Sequence, residues 1–184
     1  VHYIVIPLFE GPFWFLRHGE TVSNAARIIA GSTDTPLTDL GRRQAEAAAT
    51  LIADLPITAI YVSPLSRARE TAAPIARKLD LPLVTVPGLA ERRWGDWEGQ
   101  PQGVLDRTAT PPGAGESPDV FSLRVLAALA SITGGGLPLI VAHSGIGRVL
   151  RQQLLGGDRV ASLPNALPLL FTPTKSGWRL LEGG

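Results

Sequence analysis

The sequence predicts an α/β fold in which a mostly parallel sheet is covered by helices on both faces. Three observations carry that expectation. Short β-rich runs alternate with longer stretches of helical spacing. One run, "LPLIVA" at 137–142, is almost wholly apolar, as strands buried on both faces tend to be. A chain of 184 residues suits one domain, 1–184, able to bury roughly 70% of its unfolded surface without disulfides or structural metals.

The elements follow in order. "HYIVIPLF" at 2–9 reads as a strand; it is short, lacks a basic flank and is broken by Pro7, so it is neither a signal peptide nor a membrane span. "FWFL" at 13–16 is a second apolar run, followed by a polar turn region. Thr38 is placed to cap a helix whose apolar positions Ala45, Ala48, Ile52 and Leu55 follow helical spacing, and Pro56 ends it. "ITAIYV" at 57–62 is the next strand. Ser63 as N-cap with Pro64 at the first helical position then opens a helix that Pro74 should kink or interrupt. "LPLVTVPGL" is a strand ending just before Glu91. Ser117 and Pro118 start another helix, with Asp119 suited to its dipole. "LPLIVA" leads to "GIGRVLRQQLLGG", a helix stopped at Gly156. "PLLFTPTKSGWRLL" reads as an edge hairpin turned at Lys175 to Gly177. Linker-like composition is confined to 100–118 and 133–138, neither long enough to divide the chain.

Composition removes several classes of function. With no cysteine there is no disulfide framework, thiol catalysis or cysteine-ligated zinc or iron–sulfur site, and a reducing, cytoplasmic location fits. The formal charge is +1, with the cations interspersed among 16 acids, so no basic face announces nucleic acid or an anionic membrane. A homodimer is compatible with this composition. The chain contains no methionine, even at position 1.

In open α/β sheets ligands bind beyond the carboxyl ends of the strands. Just past each predicted strand stands a chemically able residue: Arg17 and His18 after "FWFL", Arg67 in the helix start after "ITAIYV", Glu91 after "LVTVPGL", and His143 and Ser144 after "LPLIVA". Arginine forks match the oxygens of a phosphoryl group, and fixed donors stabilise its transition state. A neutral imidazole can attack phosphorus, and a carboxyl can protonate the leaving alcohol and then activate water. A lone histidine at a strand end is more often a packed residue than a catalyst. For His18 that preference reverses, because Arg17 is adjacent and Gly19 allows close approach of a ligand. His143 gains similarly from "HSG" opening a helix, whose N-terminus favours anions. Arg67 alone would read as a solvated first-turn residue, and Glu91 alone as a loop acid or half of a salt bridge.

Together these residues resemble the histidine phosphatase superfamily, the phosphoglycerate mutase-like branch. "LRHGET" is similar to its signature, and "GSTDTPLTDLG", "SPLSRARETA", "LAERRWGDWEG", "PPGAGES" and "IVAHSG" resemble successive blocks in the family order. The resemblance implies a three-layer α/β/α sandwich and a single domain. It implies His18 as the phosphorylated nucleophile, Arg17, Arg67 and His143 as ligands of the transferred phosphoryl group, and Glu91 as proton donor. It places Asn24 and Ser144 beside the phosphate, with Thr21, Gly31 and Ser32 as further pocket candidates. Neither metal nor organic cofactor is implied, and the partner is a small phosphorylated substrate. Between phosphatase and mutase, the short segment from Arg92 to Gly115 favours the phosphatase, although Arg92 and Arg93 could grip a carboxylate. Trp94 and Trp97 could line an apolar or sugar-stacking wall, or simply pack. Two other classes compete: a metal hydrolase using His18, His143 and Glu91, disfavoured by Arg17 beside a ligand histidine, and a noncatalytic phosphate-binding module.

Overall fold

Phe13, Trp14, Phe15 and Leu16 are all buried, and their alternation sets the layers of the molecule. They form β1 (Phe13–Arg17) in a computed structural model that describes residues 6–156 and 163–183. β1 pairs in parallel with β4 (Leu139–Ala142), Trp14 lying opposite Leu139 and Leu16 opposite Val141. On its other side it pairs antiparallel with β5 (Pro168–Thr174). The remaining strands are β2 (Ile60–Val62), β3 (Leu83–Thr85) and β6 (Gly177–Glu182), in the sheet order β3-β2-β4-β1-β5-β6. A parallel block therefore meets an antiparallel hairpin, and the C-terminal hairpin occupies the edge that the sequence predicts.

Each sheet face carries its own core. Phe13, Phe15, Ile140 and Phe171 pack with Val125 and Leu129 of α4 (Pro118–Ala130) and Ile146 and Leu150 of α5 (Ser144–Leu155). Trp14, Leu16, Val62 and Val141 meet the opposite layer, Ala48 and Ile52 of α2 (Asp39–Ile52) with Ala68, Ala72 and Ile75 of α3 (Ser66–Leu79). Burying each such large side chain is worth about 1.5–3 kcal/mol. This is the three-layer α/β/α sandwich, and the parallel block sends its strand ends to one edge. No helix among the described residues is long and apolar enough to cross a membrane.

Several boundaries differ from the sequence reading. Of the expected strand at 2–9, Pro7–Glu10 is a 3-10 turn, with Pro7 supplying its first residue, while 1–5 lie outside the described residues. Ser63 is not an N-cap: α3 begins at Ser66 behind an extended Leu65, because the Ser63 hydroxyl is taken up by His143. Pro74 is buried inside α3 and does not interrupt it. α2 stops at Ile52, short of Pro56. β2 and β3 are three residues each, shorter than expected, and Pro87–Leu89 after β3 is a 3-10 turn. The caps at Thr38 and Ser117 are as expected, each side chain accepting a backbone N–H from the first turn. So is the left-handed stop at Gly156.

Candidate active site

The carboxyl ends of β1, β2 and β4 deliver a histidine, a serine and a second histidine to one place. His18 follows β1 and donates from Nδ1 to the Gly19 carbonyl at 2.7 Å. A carbonyl only accepts, so the proton sits on Nδ1 and the Nε2 lone pair is left bare. His143, the N-cap position of α5, is fully buried with its ring centroid 5.2 Å from that of His18. Its Nε2 lies 2.6 Å from the Ser63 hydroxyl. Ser63 Oγ also accepts from the Leu65 N–H at 3.3 Å. The other ring nitrogen of His143, Nδ1, is buried with no hydrogen-bond partner. Burial, and then the nearby Arg67 and Arg17 guanidinium groups, hold both imidazoles well below the ordinary histidine range. Both rings are neutral at pH 7.

Two arginines face the pair. Arg67, in the first turn of α3, is 1% exposed, a very low figure for its length. Nη1 and Nη2 donate to the carbonyls of Thr33 and Gly31 at 2.9 and 2.7 Å, whereas Nε is buried without a partner. Asp34 lies 3.9 Å away and is half-exposed, so the charge is only loosely balanced. Burial lowers the guanidinium pKa, with Glu91, Asp34 and Glu98 opposing, and it stays charged at neutral pH. Arg17 closes β1 with Nη1 on the Leu163 carbonyl at 2.6 Å. Glu91 stands opposite, Oε1 accepting from the Arg92 N–H at 2.8 Å and Oε2 from the Gly145 N–H at 2.9 Å. A side chain on Gly145 would collide with that carboxylate.

These groups line a cleft of about 670 Å³, together with Thr21, Asn24, Gly31 and Ser144. Thr21 caps α1 (Val22–Ala25), a four-residue helix absent from the sequence reading, and Asn24 completes a reciprocal capping box. Asn24 Oδ1 accepts from Thr21 and Asn165, so its amide N–H₂ is the side left for a ligand. Ser32 does not belong to the cleft: its N–H and hydroxyl both bind the Glu98 carboxylate at 2.9 Å. The candidacy of Ser32 is corrected accordingly, since Glu98 also holds Thr33 and the Trp94 N–H and so pins the loop whose carbonyls receive Arg67. Trp94 and Trp97 stack on each other, and the Arg92 guanidinium lies 4.1 Å over Trp94.

Four residues escape the sequence reading. Asn165 donates to the His18 carbonyl at 2.8 Å, fixing the backbone at that histidine. Thr71 accepts the Gly19 N–H and donates to the Arg67 carbonyl, joining the two main-chain segments. Glu98 acts through the loop just described. Arg148, one turn into α5 from Ser144, lines the outer cleft. For Arg148 the signal was present in its i+4 spacing from Ser144, on the helix face already assigned to the site. Asn165, Thr71 and Glu98 each join the site through a partner distant in sequence: His18, Gly19 and the Ser32–Thr33 segment.

Among the described residues no group of three or more His, Asp or Glu side chains gathers at metal-binding spacing. The arrangement supplies neutral imidazoles, one buried and one half-buried guanidinium, an unpartnered Arg67 Nε–H and one opposed carboxyl group, the parts needed for covalent phosphoryl transfer.

Comparison with known proteins gives one consistent match. The model of the histidine phosphatase superfamily (branch 1) matches residues 13–181. The chain is 36% identical over 159 residues to the probable phosphoglycerate mutase GpmB of Yersinia pestis (strain Pestoides F), covering 78% of this chain and 74% of the relative. A putative alpha-ribazole-5'-P phosphatase from Escherichia coli K-12 superposes with a TM-score of 0.81 at 27% identity, covering 94% of this chain and 95% of the other. The mycobacterial glucosyl-3-phosphoglycerate phosphatase superposes with a TM-score of 0.78 at 28% identity, covering 92% and 96%.

Proposed function

The chain belongs to the histidine phosphatase superfamily, and from that premise we propose that it hydrolyses a small phosphomonoester through a phosphohistidine intermediate, without a metal or organic cofactor. The observation that carries the reading is His18: a neutral ring whose Nδ1–H is committed to Gly19, beside the buried Arg67 and the half-buried Arg17 on the wall of an open cleft. In the first step Nε2 attacks phosphorus, an N–P bond forms as the ester P–O bond breaks, and Glu91 in its acid form passes its proton to the departing alkoxide. In the second, the Glu91 carboxylate takes a proton from water as that oxygen attacks phosphorus. The N–P bond breaks, its electron pair returns to Nε2, phosphate leaves and Glu91 is again an acid. Arg17, Arg67, the Asn24 amide and, with Ser63 donating to Nε2, the Nδ1–H of His143 hold the phosphoryl oxygens, and charge that is unfavourable in the empty site becomes useful as the transition state forms.

The relatives include both phosphatases and a probable mutase. Arg92 supports hydrolysis over a mutase-like carboxylate grip, because its guanidinium is spent on the carbonyls of Glu116, Arg107 and Ala109. Arg93 is drawn to Glu116 at 3.7 Å. The test is turnover of a chromogenic aryl phosphate in EDTA. His18→Ala should lose activity by on the order of 10⁴-fold or more, and wild-type protein quenched during turnover should carry acid-labile phosphate on His18. Equal rates for the two proteins would remove His18 as nucleophile. Transfer from bisphosphoglycerate to monophosphoglycerate in excess over hydrolysis would select the mutase instead.

A further inference from the structure

Residues 105–109 form a strap, neither helix nor strand, and Leu105, Arg107 and Thr108 of it line the cleft. The strap has little burial to hold it in place. Asp106, Arg107 and Thr108 are exposed, and Leu105 and Ala109 only half-buried, so by itself such a segment would open readily. Its anchor is Arg92. That side chain is 4% exposed, and its Nη1 and Nη2 donate to the Arg107 and Ala109 carbonyls at 2.8 and 2.6 Å. Nε donates to the Glu116 carbonyl at 3.0 Å, and the guanidinium lies over the Trp94 ring. A buried arginine spent on carbonyls is ordinarily a structural staple. Arg92 differs in what its two ends hold: its side chain fixes a wall of the cleft, and its main-chain N–H donates to Glu91 Oε1 at 2.8 Å.

We propose that Arg92 is a positioning residue that determines specificity: acting through the strap, it sets the wall against which the alcohol part of the ester packs. The strap hangs from the side chain of the residue whose backbone holds Glu91, so it stands on the side of the cleft where the proton donor meets the departing oxygen. The wall there has apolar surface, with Leu105 joined by Trp94 and Phe121. A flat, ring-bearing alcohol uses that surface and a two-carbon alcohol uses little of it. The phosphoryl oxygens are held by groups that Arg92 does not bond, so loosening the strap penalises large alcohols more than small ones. The effect on turnover rests on the hydrolase reading; the effect on ester binding does not.

Two esters are compared, ethyl phosphate and 2-naphthyl phosphate. The readout is the naphthyl-to-ethyl ratio of kcat/KM, because the intrinsic difference between the two leaving groups cancels when variants are compared by it. Arg92→Met keeps the buried stem and removes the fork, and should lower the ratio by about tenfold or more, chiefly through KM. Arg92→Lys keeps the charge but cannot serve three carbonyls with the geometry of a guanidinium; it should lower the ratio by about threefold, and it decides the matter if Arg92→Met does not fold. Trypsin reads the strap without reference to activity. Cleavage after Arg107, relative to cleavage after Arg43, which is exposed on α2 and reports global unfolding, should be about tenfold faster in Arg92→Met. A kcat/KM ratio unmoved in the variants that fold, an equal loss with both esters, or unchanged relative cleavage at Arg107 would overturn the inference. Calorimetry on His18→Ala protein, with and without Arg92→Met, gives the same ratio in Kd. A naphthyl preference that falls with Arg92→Met, in a protein that releases no phosphate with His18 restored, would fail the hydrolase reading and leave this inference standing. Phosphate release with a ratio independent of Arg92 would do the reverse.

Discussion

Two buried charge systems adjoin the Glu91 segment and are built on opposite rules. In one, the Glu116 carboxylate is almost wholly buried and fully matched: Arg124 grips both oxygens at 2.7 Å, and the Arg93 N–H adds a third bond at 3.0 Å. Arg124 then reaches the carbonyls of Gly88 and Ala90, tying α4 to the segment that carries Glu91. Burial alone would raise the Glu116 pKa, yet the Arg124 and Arg93 donors carry it below the usual carboxylate value. In the other, Arg67 is buried equally deeply with only the half-exposed Asp34 carboxylate at 3.9 Å, and Arg67 Nε and His143 Nδ1 are left unpartnered. A buried charge that is satisfied holds structure together, and one left wanting marks where a ligand belongs.

Substitutions can break that contrast. The largest effect is expected for Arg67→Gln, which should lower kcat/KM by on the order of 10²–10³-fold, as for loss of a transition-state donor, while shifting the urea-derived stability by only about 1 kcal/mol. A stability loss above about 3 kcal/mol would place Arg67 with the structural clamp instead. Arg124→Met should behave in the opposite way, costing about 3 kcal/mol by leaving Glu116 buried without its partner, with activity per folded molecule falling far less than in Arg67→Gln.

A smaller effect sharpens the comparison from the ligand side. Inorganic phosphate at one hundred times its Kd should raise wild-type stability by about 2.7 kcal/mol, and Arg67→Gln should largely abolish the gain; an equal gain in both proteins would locate the anion elsewhere. The smallest effect is the pH dependence. His18 and His143 are held neutral in the fold, so below the unfolded value of about 6.5 the unfolded chain takes up protons that the native state refuses. Their contribution is complete above that pH and declines as pH falls, by at most about 1.4 kcal/mol per unit for each ring. Glu98 and Glu116, whose pKa values are lowered, begin to matter only at more acid pH. Urea midpoints between pH 7.5 and 5 (roughly the histidine window) should therefore fall with acid in the wild type and less steeply in His143→Gln.

The layers and the four strand-end positions were legible because they follow from hydrophobic periodicity and from where a parallel sheet places its loops. What the sequence concealed were choices made by distant partners. "SP" before a helical run satisfies every local rule for an N-cap, and the rule fails because His143, 80 residues on, claims the Ser63 hydroxyl. The resemblance offers Ser32 as a pocket candidate, whereas its N–H and hydroxyl are both held by one distant carboxylate, Glu98. The α1 capping box was readable in principle from the spacing of Thr21 and Asn24, but a four-residue helix has no apolar periodicity to draw attention to it.

The bond from Asn165 to the His18 carbonyl spans 147 positions. On the ribosome, the histidine of "RHG" emerges early, whereas Ser63, His143 and Asn165 follow across most of the remaining synthesis. Until the last of them arrives, the residue is an ordinary imidazole on an unfinished sheet, free to take up a proton and without its full backbone anchorage. The reactivity proposed for His18 is thus a late property of the polypeptide. A translation product released before Asn165 would contain the signature of the enzyme and lack one of the bonds that fixes it in place.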